Sequence, residues 1–148
     1  MLDGELIISG KPFDELQLRL HPAASRIATL ARENPATFIA FDLLADVHGA
    51  PLLGRHFGTR RKSLEQLFKR IGKQKRISLS RATTSRAAAL KWLKSLGHGL
   101  DGIVAKRLDL AYQPGRRAMQ KYKVWKTVDC VVGGLYLKPG TTNTRRHP

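Results

Sequence analysis

Apolar and polar positions alternate in two distinct rhythms along this chain, and the changes of rhythm divide it into short elements. Leu2 to Ser9, LDGELIIS, carries residues that favour extended structure and stops at Gly10, Lys11 and Pro12, which predicts a strand closed by a turn. From Asp14, a plausible N-cap, the pattern becomes helical. Pro22 interrupts it, and Ile27, Leu30 and Ala31 resume it at helical spacing in a second helix over 23–33. Phe38 to Leu44, FIAFDLL, is apolar except for Asp42 and predicts a central strand covered on both faces. Turn chemistry follows at Gly49 and Pro51, with a short extended piece after the stretch from Asp46 to Pro51.

Ser63, Leu64, Leu67, Phe68 and Ile71 then mark an amphipathic helix inside the basic stretch from Arg55 to Arg76. A strand is expected over Arg76 to Arg81. A helix from Ser85 through Leu96 follows, with Ala89, Leu90, Leu93 and Leu96 inward and Lys91 and Lys94 outward. Gly97 and Gly99 end it. Ile103 to Ala105 run apolar into Lys106, and Lys121 and Lys123 flank Tyr122 on what reads as another strand. Val128 to Leu137 form a last extended run, and the remaining tail has no periodicity. No internal repeat, glycine-rich phosphate loop or long linker interrupts the sequence.

Charge changes this picture more than composition does. The chain has 148 residues, 42% of them hydrophobic, enough for one domain with a core. Its 27 Lys and Arg against 11 Asp and Glu give a formal net charge of +16, which points to a polyanionic partner, nucleic acid foremost. No stretch is long and apolar enough to cross a bilayer, and no signal peptide is expected behind Met1, with Asp3 and Glu5 so close. The single Cys130 excludes an internal disulfide framework and reads as a buried small hydrophobe in a reducing, cytoplasmic setting.

Three clusters carry candidate chemistry. Lys121 and Lys123 share one face of an extended strand, where two ammonium groups repel unless a shared anion such as a phosphate lies between them. A solvated edge that discourages aggregation is the competing reading of that pair. Arg60, Arg61, Lys62, Lys69 and Arg70 make the polar side of their helix cationic, with Glu65 nearly alone among them, which suits contact with DNA phosphates. Asp3 and Glu5 share a strand face and could bind a metal ion or accept hydrogen bonds from a sugar, or mark a solvated strand end.

LDGELII, FIAFDLL, LDGIVAKR and KYKVWKTVDCVVGG occur in the order and approximate spacing found in ATP-dependent DNA ligases, and the chain resembles the bacterial end-joining type over Leu2 to Leu137. The resemblance implies an α+β fold of the nucleotidyltransferase, ATP-grasp-like class: antiparallel sheets flanked by helices, with ATP held between. By position Glu5 matches the acid that contacts the ribose, and Phe41 the aromatic that stacks on adenine. Asp101 matches the carboxylate for Mg2+ or Mn2+, where relatives more often carry Glu. Lys106, Lys121 and Lys123 match the lysines that handle the phosphates. These side chains are expected to converge on one nucleotide-sized hollow beneath Phe41.

The implied reaction passes AMP from ATP to a lysine, then to a 5′-phosphate at a DNA nick or break, and a 3′-hydroxyl finally displaces it. No Lys-x-Asp-Gly nucleophile motif occurs in the sequence, and Met119 stands where relatives often carry Trp. The resemblance therefore implies a partial adenylation domain over 1–127 and the start of a truncated OB domain with a disordered tail over 128–148. Such a chain would not label itself with AMP alone, and would need ligase segments supplied in trans or act as a non-catalytic nucleic-acid- or nucleotide-binding remnant. An unstable remnant with exposed core surface is a third reading. RNA ligases and capping guanylyltransferases share the implied fold, but FIAFDLL and VWKTVDCVVGG incline toward DNA, in a bacterial, nucleoid-associated setting.

Overall fold

The computed structural model describes residues 1–20, 23–95, 102–124, 129–131 and 133–134. Nine elements follow one another: β1 (Leu2–Ile7), α1 (Phe13–Gln17), α2 (Ala24–Glu33), β2 (Thr37–Leu43), α3 (Phe57–Ile71), β3 (Ile77–Leu79), α4 (Arg86–Lys94), β4 (Gly102–Lys106) and β5 (Met119–Lys123). Strands β1, β2 and β3 form one sheet in that order, and β4 pairs with β5 in a separate ribbon. The architecture is α+β, as the residue pattern and the resemblance imply. Pairing is antiparallel for β1 with β2 and for β4 with β5, whereas β2 and β3 run parallel, so the three-stranded sheet is mixed.

Register explains where the core sits. Gly4 pairs with Ala40 and Asp3 with Asp42, so one step on β1 faces two on β2 and Phe41 is the extra residue of a bulge. Alternation is thereby reset. Ala40 and Leu43, three residues apart, both enter the core with Leu64 of α3, and Leu2, Phe38, Leu52, Leu67, Phe68 and Leu79 pack around them. Asp42 consequently lies on the side away from Leu43. Gly4 makes the sheet's closest approach possible, because a Cβ there would run into the Phe38 ring and come within 2.5 Å of the Ile39 carbonyl oxygen.

The ends of α3 are satisfied in different ways. No side chain caps its start at His56; instead the Phe57 and Gly58 N–H groups each donate at 2.8 Å, to the carbonyls of Leu110 and Leu108 respectively. These bonds dock the segment after β4 onto the helix. Its end is closed by Gly72 at φ 66°, whose N–H donates to the Phe68 carbonyl at 3.1 Å. Lys69 and Arg70 lie in the last turn, where the carbonyl ends favour cations.

Three local readings change. Helix α1 begins one residue before Asp14, with Pro12 at the N-cap, so Asp14 sits in the first turn rather than capping it. Leu90 of α4 is exposed rather than inward, because the partly buried face of the helix is formed by Ala88, Ala89, Trp92 and Leu93. Cys130 is exposed, as is Val131, since none of the described elements covers that stretch. Ser85 does cap α4, accepting from the Ala88 N–H at 3.3 Å. Pro22, Leu96, Asp101 and most of the expected last strand and tail lie outside the described residues. Among the described residues, no helix is long and apolar enough to cross a membrane.

Candidate functional site

The bulge at Phe41 sets two consecutive side chains against the end of β4. The Lys106 ammonium lies 4.7 Å from the centre of the Phe41 ring, 5.0 Å from that of Phe57, and 3.6 Å from Asp42 Oδ2. A cation over two aromatic faces is attracted by their quadrupoles, more strongly where water is excluded, and the Lys106 side chain is only 17% exposed. Asp42 is fully buried. Arg60 grips it with two parallel bonds, Nε to Oδ1 at 2.8 Å and Nη2 to Oδ2 at 2.9 Å.

Arg60 is itself 3% exposed and is satisfied on its other side by the carbonyls of Arg55 and Leu110. Its guanidinium also lies 5.6 Å from the Phe57 ring centre and 5.7 Å from that of Tyr112. Tyr112 in turn donates its hydroxyl to Asp3 Oδ2 at 3.0 Å. Strand β1, strand β2, helix α3 and the segment after β4 are thus joined through one polar cluster. A single buried carboxylate faces two cations there, which leaves the Asp42, Arg60 and Lys106 group with a net positive charge.

The Tyr112 phenol is pushed above its ordinary 10.0 by the hydrogen bond to Asp3 first, then by desolvation and by the negative charges of Asp3 and Asp42. A phenol whose folded value is raised contributes stability that is complete below the unfolded value and is lost as pH rises through the folded one. Phenolate absorbance should therefore show one of the three tyrosines titrating late, and Tyr112→Phe should remove that component. Three tyrosines titrating together at the ordinary value would contradict the bond.

The ribbon of β4 and β5 places the other lysines. Lys106 pairs with Met119, Val104 with Lys121 and Gly102 with Lys123. Directly paired residues share a face, so Lys106, Lys121 and Lys123 project from the same side, Lys106 at the end beside Phe41. Two strand residues separate successive rows, about 7 Å. Glu5 lies on β1 opposite Ile39, on the same sheet face as Asp3 and hence as Asp42. Glu5 thus stands two residues along β1 from Asp3, whose β2 partner Asp42 contacts Lys106.

A hollow of about 440 Å³ is lined by Lys106, Arg107, Leu110, Arg117, Met119 and Gln120 among others. Phe41 is not in its wall. The Lys106 ammonium lies over the Phe41 ring, and Asp101 lies outside the described residues. Among the described residues no group of three or more His, Cys, Asp or Glu side chains is arranged to hold a metal ion.

The basic face of α3 divides in two. Lys62, Lys69 and Arg70 are exposed, and Lys62 and Lys69, seven residues apart, lie on one stripe about 10 Å in length. Arg60 and Arg61, expected beside them, turn inward. Arg60 is buried on Asp42, so its guanidinium is not on the cationic surface. Arg61 spends its donors on Glu65 Oε1 at 2.8 Å, Ser80 Oγ at 2.8 Å and the Ser80 carbonyl at 2.7 Å, strapping α3 to the end of β3.

The buried Asp42–Arg60 pair, with Phe57 and Tyr112, escaped the reading of the residues alone. A signal existed: Asp42 is the only charge in FIAFDLL, and Arg60 falls four residues before Leu64, on the apolar stripe of its helix.

Comparison with known proteins gives the same direction. The sequence profile of the family described as ATP dependent DNA ligase domain matches residues 1–124. DNA ligase C2 of Mycolicibacterium smegmatis is 47% identical over 141 residues, covering 93% of this chain and 39% of that protein. DNA ligase C of Mycobacterium tuberculosis is 44% identical over 140 residues, covering 90% of this chain and 39% of that protein. Among solved structures, the ligase domain from M. tuberculosis LigD superposes with a TM-score of 0.54 at 32% identity, over 82% of this chain and 36% of that one. The chain therefore spans about two-fifths of the length of the curated relatives it matches.

Proposed function

Because the chain belongs to the family of ATP-dependent DNA ligases, we propose that the cluster around Phe41 and Lys106 is part of a nucleotide-binding site for ATP. Phe41 stacks on the adenine, Glu5 accepts hydrogen bonds from the ribose hydroxyls, and Lys106, Lys121 and Lys123 neutralise the phosphates. The observation that carries this reading is the Lys106 ammonium, set over the Phe41 ring beside a buried carboxylate that already holds a second cation. The excess positive charge of that group favours an anion, and the shared face of the three lysines extends the favourable field along the ribbon. Negative charge that develops on phosphoryl oxygens during AMP transfer is stabilised by fixed cations of this kind.

Asp101 is the proposed holder of Mg2+ or Mn2+. Mg2+ is commonly held by one or two carboxylates together with substrate phosphates, so a dedicated cluster of protein ligands is not required. The cation would supply further neutralisation of the triphosphate.

DNA with a nick or break is the proposed second partner. The exposed Lys62, Lys69 and Arg70 of α3 are the residues placed to meet its phosphates, and their share of binding is read from the salt dependence of duplex affinity.

Calorimetric titration of the chain with ATP tests the nucleotide reading. Phe41→Ala should weaken binding about tenfold or more, the loss expected when base–aromatic stacking worth about 1–3 kcal/mol is removed. Equal affinity of Phe41→Ala and the parent chain would overturn the assignment of Phe41.

A further inference from the structure

We propose that Asp42, clamped by Arg60, is a positioning residue that fixes where the Lys106 ammonium sits over Phe41. The inference rests on the nucleotide-site reading and goes beyond it, since Asp42 acts through Lys106 and not on the nucleotide. The carboxylate is fully buried and both of its oxygens are oriented. Oδ1 accepts from Arg60 Nε at 2.8 Å and from the Leu43 N–H at 2.9 Å, and Oδ2 accepts from Arg60 Nη2 at 2.9 Å. Bidentate bonding of this kind fixes the plane of the carboxylate as well as its distance.

Lys106 needs such an anchor. Its ammonium rides on a flexible four-carbon stem at the end of a two-stranded ribbon, and the rings of Phe41 and Phe57 attract a cation without defining one position for it. Oδ2 supplies the missing direction. At 3.6 Å the contact is an ion pair rather than a hydrogen bond, so it orients the ammonium without consuming one of its N–H donors. A cation ordered in advance spares a phosphate ligand the entropy of ordering it. Arg60, held in turn by the carbonyls of Arg55 and Leu110, links the position of Lys106 to the start of α3 and to the segment beyond β4.

Two readouts on the full chain test the proposal: labelling of Lys106 by an amine-reactive reagent, quantified by mass spectrometry, and ATP affinity across the set Asp42→Asn, Lys106→Met and their combination. Asp42→Asn should raise Lys106 labelling several-fold while a cooperative melt is retained. Each single substitution should weaken ATP binding about tenfold and the double substitution no further, as for two residues that act through one contact. Unchanged labelling in Asp42→Asn, or losses that multiply in the double variant, would overturn the proposal.

Should Asp42→Asn not melt cooperatively, Arg60→Lys takes its place with the same expectations, because it keeps a cation on Asp42 and loses the bidentate grip. Failure of the nucleotide reading looks different. ATP would then not bind the parent chain, while the contrast in Lys106 labelling would persist.

Discussion

Arg60→Ala is expected to destabilise the fold by about 3–5 kcal/mol, the usual cost of removing one partner from a buried ion pair. The charge left behind explains the size. Asp42 is fully buried and both of its oxygens bond Arg60, so alanine at 60 would leave a carboxylate with only the Leu43 N–H and the Lys106 ammonium at 3.6 Å. The carbonyl of Leu110 would lose a donor as well. Chemical denaturation followed by far-ultraviolet circular dichroism gives the value directly. Replacing Asp42 and Arg60 together by apolar residues of similar volume should cost much less than Arg60→Ala alone, because the unpaired charge then disappears. A loss below about 1 kcal/mol for Arg60→Ala would mean that Asp42 is solvated, as exposed pairs are.

Leu64→Ala should cost about 2–5 kcal/mol, since the side chain is fully buried between Ala40 and Leu43 and a cavity would remain where it packed. The effect should reach the site. Leu64 fixes how closely α3 lies on β2, and α3 carries Phe57 and Arg60 to Phe41 and Asp42. Leu90→Ala makes the comparison, because Leu90 is 41% exposed on α4 and its loss should fall within about 0.5 kcal/mol of zero. Equal losses at the two positions would mean that the core is not centred on α3 and β2.

Much of this arrangement was legible in the residues, and the reason differs from element to element. Strand-favouring runs located β1 and β2, and helical spacing located α2 and α4, within about two residues, whereas the apolar pattern of α3 shows only from Ser63, after the helix has begun at Phe57. Four short motifs in order pointed to the family. The bulge was not legible: nothing local in FIAFDLL says that Phe41 is the extra residue, since the register is decided by pairing with β1. Without the bulge, Asp42 appears as an interruption of a core strand. With it, Asp42 becomes the carboxylate on the site face.

Arg60 was missed for a related reason. Counting charges along α3 treats every arginine as surface, whereas a guanidinium can be buried once a carboxylate meets it in bidentate fashion. The parallel pairing of β2 with β3 likewise depends on where α3 returns the chain, over a separation that no local signal spans.

Lys106 is the residue on which the proposed nucleotide chemistry depends. Its ammonium is held between two aromatic rings and a buried carboxylate, and its ribbon face carries Lys121 and Lys123. Photo-crosslinking of the chain with an azido-adenine analogue of ATP, followed by peptide mapping, tests that arrangement most directly. The account predicts adducts on the β2 peptide that contains Phe41, suppressed by an excess of ATP. Adducts confined to α2 or α4, or none that ATP suppresses, would contradict it.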